Sequence, residues 1–384
     1  MNLEEIQLSR EELIRYNRHI IIPEFGLDAQ KKLKAAKVLV IGAGGLGSPL
    51  LLYLAAAGVG TIGIVDFDVV EDSNLQRQVL FGVDEIGQPK AEVAKQRLKS
   101  LNPYIQIEVH NIQLNAGNAL PLVQKYDVIA DGTDNFPTRY LVNDACVLLG
   151  KPNVYASILQ FEGQVSVFNY RDSTGELGPN YRDMYATAPP PGLVPSCAEG
   201  GVLGVLPGII GSLQALEVIK VITGVGEILN GRLFNFDALS FQSRLFNIRR
   251  SPDNPLNGTA PTIHALIDYE QFCGVKVLET PIKEITASEL HDWQRRGEDF
   301  QLIDVREPNE YSAQNINALL MPLGTVTDNV DKIDRNRKVV VHCKAGSRSS
   351  KAVRELEASF GFDNLYSLKG GIDAYMQVVG TELS

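Results

Sequence analysis

The stretch Val38-Leu39-Val40-Ile41-Gly42-Ala43-Gly44-Gly45-Leu46-Gly47 runs an apolar strand into a glycine turn. An apolar helix follows, and then a second strand, Thr61-Ile62-Gly63-Ile64-Val65-Asp66. Strand, Gly-x-Gly-x-x-Gly turn, helix, strand and acid is the order that a nucleotide-binding βαβ unit requires. Gly42 permits the tight turn, Gly44 lets the backbone approach a phosphate, and Gly47 lets helix pack on strand. The helix N-terminus offers unpaired N–H groups and a positive dipole end to an anion. Asp66 falls where a carboxylate can hold ribose hydroxyls.

That fingerprint alone also suits a nicotinamide-dependent oxidoreductase. The continuation Asp72-Ser73-Asn74-Leu75-Gln76-Arg77-Gln78 and Gly87-Gln88-Pro89-Lys90 argues for different chemistry. Hydride transfer builds little charge on phosphate, whereas cleavage of a triphosphate does, and cations then stabilise it. Taken singly, Arg77 and Lys90 could be solvated surface charges; their shared context points to a phosphate site.

The chain has 384 residues, enough for two or three domains, and its formal charge of −10 disfavours nonspecific nucleic-acid binding. Cys146, Cys197, Cys273 and Cys343 are far apart and form no Cys-x-x-Cys pair, which disfavours a disulfide scaffold and suits a reducing, cytoplasmic setting. The N-terminus lacks a signal-peptide pattern. Val38 to Val65 is uncharged and long enough for a membrane span, but its glycines and Pro49 fit a buried βαβ core better, so no membrane partner is expected.

Along the chain, Ser9 to Lys37 is expected to be helical, opening on a Ser9-x-x-Glu12 capping box. Arg15 and Arg18 lie on one turn of it, either as a solvated face or as an arm reaching a phosphate. The strand Tyr126 to Asp131 ends in Gly132-Thr133-Asp134-Asn135. Acids at the C-terminal ends of parallel strands face the ligand crevice, so Asp134 could hold Mg²⁺ on phosphates or could cap the next helix. Leu177 to Pro195, rich in Pro, Gly and Tyr, reads as a long loop. Cys197 is expected just before an apolar helix running to Thr223, where a thiol is activated; the alternative is a small buried hydrophobe. Residues 251–281 read as a linker between a first domain over 1–250 and a second over 282–384.

In the second domain, Lys338-Val339-Val340-Val341-His342 leads into Cys343-Lys344-Ala345-Gly346-Ser347-Arg348. Loop amides and a helix dipole aimed at the sulfur stabilise a thiolate or persulfide, and Arg348 is expected to add a fixed positive charge. Cysteine phosphatases share this logic with one more residue in the loop; four residues between Cys343 and Arg348 suit a single sulfur better.

These residues carry a resemblance. Residues from about Arg15 to Ile248 resemble the MoeB/ThiF family, bacterial relatives of ubiquitin-activating enzymes, through Arg15-Tyr16-x-Arg18, Gly42-x-Gly44-Gly45-Leu46-Gly47, Asp66-x-Asp68, Ser73 to Gln78, Gly87-x-Pro89-Lys90 and Thr133-Asp134-Asn135. Residues from about Ile282 resemble a rhodanese through Asp304-Val305-Arg306, Glu310-Tyr311 and the Cys343 loop. The resemblance implies an α/β fold: a Rossmann-like adenylation domain followed by a smaller α/β rhodanese domain. It implies ATP and Mg²⁺ as cofactors, Asp66 on the ribose, and Gly45 against the nucleotide. Asn74, Arg77 and Lys90 would grip the triphosphate, within the nucleotide-binding run that includes Ser73, Leu75 and Gln76. Asp134 would bind Mg²⁺, with Asn135 beside the nucleotide. Arg18 would reach the phosphates of a partner subunit, implying a homodimer.

The implied reaction adenylates the C-terminal glycine of a β-grasp sulfur-carrier protein of MoaD/ThiS type. Cys343, charged by an upstream persulfide donor, would then deliver sulfur to give a thiocarboxylate for molybdopterin, thiamine, a thiolated nucleoside or cysteine. Cys197 would form a transient thioester or disulfide with the carrier. A noncatalytic scaffold for a β-grasp protein is the alternative from another class. Relatives commonly bind structural zinc through two Cys-x-x-Cys pairs, and here Asn180-Tyr181-Arg182-Asp183 and Asn254-Pro255-Leu256-Asn257 stand in those places. No zinc is expected, and hydrogen bonds among these polar side chains would take its place.

Overall fold

A computed structural model of the protein describes residues 3–190, 201–274 and 282–382. The chain divides into two compact units, 1–276 and 277–384.

In the first unit, three short helices, α1 (Arg10–Arg15), α2 (Asn17–Ile20) and α3 (Gly26–Ala35), precede the sheet. The single helix expected over Ser9 to Lys37 is therefore broken; the buried Tyr16 sits at the first break, bonded through its hydroxyl to Asn102, and Pro23 lies in the second. Ser9 and Glu12 form the expected capping box. The sheet then builds as β1 (Lys37–Ile41), α4 (Gly47–Ala57), β2 (Thr61–Val65), α5 (Lys90–Leu101), β3 (Gln106–His110), α6 (Ala119–Val123), β4 (Val128–Asp131), α7 (Phe136–Leu149) and β5 (Asn153–Leu159). It continues with β6 (Glu162–Phe168), α8 (Tyr181–Met184), α9 (Leu206–Thr223), β7 (Arg232–Asp237) and β8 (Gln242–Asn247). Strand order is β3-β2-β1-β4-β5-β6-β7-β8, parallel as far as β5 and antiparallel beyond it.

Alternate residues of β1 feed two cores. Val38 and Val40 pack with α4 and α5, while Leu39 and Ile41 pack with α6 and α7. Burial on both faces explains the uninterrupted apolar run of this strand. The α9 helix is long and apolar enough to cross a membrane, but here it packs on α4, β5 and β6 as a core helix. It begins at Leu206, not directly after Cys197, and Cys197 lies outside the described residues. The loop expected over Leu177 to Pro195 contains α8 in its described part.

The stretch read as a linker from Ser251 is folded onto the first unit through Gly274. Asn254, Leu256, Tyr269 and Cys273 are buried, and α10 (Tyr269–Phe272) lies against α7. Its Pro and Gly content marks irregular backbone rather than a solvated tether. The residues standing where relatives carry zinc-binding pairs make two crossing hydrogen bonds. Asn180 Nδ2 donates to Asn257 Oδ1 at 3.1 Å, and Asn254 Nδ2 donates to Asp183 Oδ1 at 2.7 Å. Asp183 also accepts from the Asn180 and Ser251 N–H groups. Three amides and one carboxylate engaged in this way do not supply the thiolate and imidazole set that zinc takes.

The second unit is a parallel five-stranded sheet in the order β11-β10-β12-β13-β9. Its strands are β9 (Glu284–Ile285), β10 (Phe300–Asp304), β11 (Leu319–Leu320), β12 (Lys338–His342) and β13 (Leu365–Leu368). Its helices are α11 (Ala287–Arg296), α12 (Pro308–Ala313), α13 (Ser347–Phe360) and α14 (Gly371–Glu382).

Candidate functional site

In the first sheet the strand order reverses at β1, with β2 on one side and β4 on the other. Ligands bind outside the C-terminal ends of the strands at such a switch point. A cleft of about 1110 Å³ opens there, lined by Gly42, Gly44, Gly45, Asp66, Asn74, Arg77, Lys90, Asp134 and Asn135 among others. Gly42, at φ +93°, turns the chain out of β1, and its N–H bonds the Val65 carbonyl at 2.8 Å. A Cβ on Gly47 would lie 2.0 Å from the Gly42 carbonyl oxygen, so only glycine lets α4 start so close to β1. Gly47 therefore stands behind the cleft rather than in it.

Asp66 ties the turn to β2. One carboxylate oxygen accepts from the Ala43 N–H at 2.8 Å and the other from the Asp68 N–H at 2.9 Å. Burial raises its pKa above the ordinary value, opposed by these two N–H groups and by Lys90. Lys90, at the N-terminus of α5, is buried with its ammonium 3.0 Å from the half-exposed Asp68 carboxylate. Arg77 donates to the Ser73 carbonyl oxygen at 3.0 Å. Ser73, Leu75 and Gln76 belong to the same turn but do not line the cleft, and Leu75 packs on the core.

At the end of β4, Asn135 is the helix cap, accepting from the Thr138 N–H at 3.0 Å. Asp134 is thus not the cap that one reading made it; its exposed carboxylate faces the cleft with a 3.5 Å contact from the Asn135 amide. One carboxylate suits Mg²⁺, which keeps waters and takes substrate phosphate oxygens, better than it suits a closed protein cage. Arg18 is exposed on α2 and does not line this chain's cleft.

The sequence reading missed Ile158, Val202 and three other parts of the lining. Arg139 is buried under the cleft, its guanidinium stacked on Phe136 and Tyr155 at 5.6 and 5.3 Å, and donates to the Thr133 carbonyl oxygen at 3.3 Å. The signal available was its place four residues after Asn135, on the same face of the first turn of α7. The other two are the loop of residues 112–117 and the segment of residues 266–270.

In the second unit, Cys343 directly follows β12, the strand between β10 and β13, and is buried. Its Sγ accepts the Gly346 N–H at 3.1 Å, with Ser349 Oγ at 3.8 Å. Gly346, at φ +104°, turns the loop into α13. A Cβ on Gly371 would fall 2.3 Å and 2.5 Å from the Lys344 and Cys343 carbonyl oxygens, so the start of α14 presses on the loop. Arg348, expected to add a fixed positive charge, is paired: both its terminal nitrogens donate to the Glu310 carboxylate at 2.7 Å. This pair holds the Glu310 pKa down at about 2. Asp304 is buried and is held by Arg306, whose Nη2 donates to it at 2.6 Å.

Comparison with known proteins matches both parts of the chain. The ThiF family matches residues 16–257, and the rhodanese-like domain matches residues 286–377. A probable adenylyltransferase/sulfurtransferase MoeZ of Mycobacterium tuberculosis is 51% identical over 375 residues, covering 96% of this chain and 94% of that protein. A sulfur carrier protein adenylyltransferase of Thermus thermophilus is 52% identical over 268 residues, 70% of this chain and 99% of its own. The crystal structure of E. coli MccB with ATP superposes with a TM-score of 0.54 at 26% identity, covering 64% of this chain and 74% of that one.

Proposed function

Because the chain belongs to the ThiF family and carries a C-terminal rhodanese-like domain, we propose that it activates and then thiolates the C-terminal glycine of a β-grasp sulfur-carrier protein. The observation that carries this reading is the meeting of Asp66, the cations Arg77 and Lys90, and the carboxylate Asp134 in one cleft, in a chain that also holds the Cys343 loop. The relatives named for adenylyl and sulfur transfer support it, as does the neighbour crystallised with ATP.

The carrier's carboxylate would attack the α-phosphorus of ATP, and pyrophosphate would leave. Asp66 would hold the ribose, while Asn74, Arg77 and Lys90 would neutralise charge growing on the phosphoryl oxygens. Mg²⁺, held by Asp134 and phosphate oxygens, would supply further neutralisation. The outer sulfur of a Cys343 persulfide would then attack the acyl carbonyl and expel AMP, leaving an acyl disulfide. A second thiol, with Cys197 as candidate, would cleave the S–S bond, releasing the thiocarboxylate and forming a disulfide. The Gly346 N–H would stabilise the sulfur anion. Arg18 would complete the phosphate site of a second copy, in a cytoplasmic homodimer. Incubation with ATP, a persulfide donor and each carrier in turn tests the reading. Mass spectrometry is expected to find one carrier oxygen replaced by sulfur, and an unchanged mass for every carrier would overturn it.

A further inference from the structure

The cleft is lined by the charged residues Asp66, Arg77 and Lys90 and also by the apolar side chains of Ile112, Leu114, Leu266 and Ile267. A sugar-phosphate fits the first group, and a flat heterocycle, which has little to pair with charge, fits the second. Residues 266–270 fall between the matched spans, after residue 257 and before residue 286, so this part of the wall is supplied by the connection between the two domains. We propose that Leu266–Tyr269 is the base-side wall of the nucleotide site, and that Tyr269 is the positioning residue that fixes it.

Leu266 and Ile267 pack in the same apolar cluster as Leu114, Phe136 and Leu141, so the wall is continuous with the 112–117 loop and α7. Two contacts anchor it. The buried Tyr269 hydroxyl donates to Asp144 Oδ2 at 2.9 Å. Three residues on, the Phe272 ring lies 4.7 Å from the Arg182 guanidinium, whose distance to Tyr140 is 4.9 Å. Asp144 and Arg182 form a fully buried ion pair, 2.7 Å apart. Tyr269 and Phe272 complete the shell of this pair, so undocking the segment would strip it of a hydrogen bond and a ring contact. The segment is therefore bound to the ion pair on one side and offers Leu266 and Ile267 to the base on the other. A nucleotide that packs on it and a docked connector stabilise each other by linkage.

This rests on the nucleotide lying in the cleft, and the test separates the two claims. The full chain and its Leu266→Ala, Tyr269→Phe and Arg77→Ala variants are titrated with ATP and, by competition, with inorganic triphosphate, both with Mg²⁺. Leu266→Ala is expected to weaken ATP about 10-fold, as lost methylenes do in an apolar pocket. Tyr269→Phe, which removes one hydrogen bond and keeps the ring, is expected to weaken ATP about 3-fold. Both should leave triphosphate affinity unchanged, whereas Arg77→Ala weakens both ligands. Unchanged ATP affinity in the two wall variants, or an equal loss for ATP and triphosphate, overturns the base-wall assignment while the site stands. If Arg77→Ala alters neither ligand, the nucleotide site itself is misplaced and the wall falls with it.

Discussion

Replacing Lys90 by methionine isolates one cation of the proposed phosphate site. The stem of Lys90 is buried, so Met fills nearly the same volume and spares the packing of α5. The ammonium pairs with Asp68, whose side chain is 54% exposed. An ion pair of that exposure contributes at most about 1 kcal/mol, so little holds the ammonium back from a phosphate oxygen. Removal of one preorganised donor from a transition-state charge costs about 3–4 kcal/mol, a roughly 100- to 1,000-fold loss of turnover. Lys90→Met should therefore lower carrier-dependent ATP–pyrophosphate exchange by that factor at saturating ATP, with the thermal transition of the first unit nearly unmoved. Asp68→Asn, which frees the lysine, should change exchange by less than about 5-fold. Retention of more than a tenth of the exchange rate by Lys90→Met would refute the reasoning, as would a loss in Asp68→Asn equal to that of Lys90→Met.

Other predictions follow from particular contacts. Gly47→Ala should abolish nucleotide binding, because its Cβ meets the Gly42 carbonyl oxygen at 2.0 Å; a calorimetric titration with ATP reads the loss. Gly371→Ala should instead suppress persulfide formation at Cys343 while exchange continues, since its Cβ would strike the Lys344 and Cys343 carbonyls. Asp183→Ala strands three donors and should cost about 2–4 kcal/mol in urea unfolding of the first unit. The Glu310 pKa is depressed to about 2 from the ordinary 4.5, so its pairing with Arg348 stabilises the second unit above pH 4.5 and is lost as pH falls toward 2. Wild type and Glu310→Gln should accordingly differ in unfolding midpoint at pH 6 and converge near pH 2; a constant difference across that range would contradict the pairing.

The β1–α4–β2 unit is legible in the sequence because local chemistry fixes it: two apolar runs, a glycine turn that admits no Cβ at Gly47, and an acid at the strand end. The Cys343 loop is legible for the same reason. What the sequence hides is set by distant partners. Arg348 reads as a fixed charge until Glu310, 38 residues earlier, is brought to it. Residues 251–274 read as a tether by composition, yet Tyr269 docks on Asp144 across 125 residues of chain, and Phe272 covers Arg182. Arg139 has the look of a helix-surface charge, and only the rings of Phe136 and Tyr155 put it under the cleft. The cap of α7 was a matter of one residue: Asn135 takes the Thr138 N–H, which leaves Asp134 turned to the cleft.

The most direct measurement of the central claim is ATP–pyrophosphate exchange with a β-grasp carrier, scored beside thiocarboxylate formation in the same reaction. Exchange is expected to require the carrier's terminal glycine, to vanish with Arg77→Ala, and to persist with Cys343→Ala while thiocarboxylate disappears. Exchange without a carrier, or thiocarboxylate formed by Cys343→Ala, would contradict the division of labour between the two units.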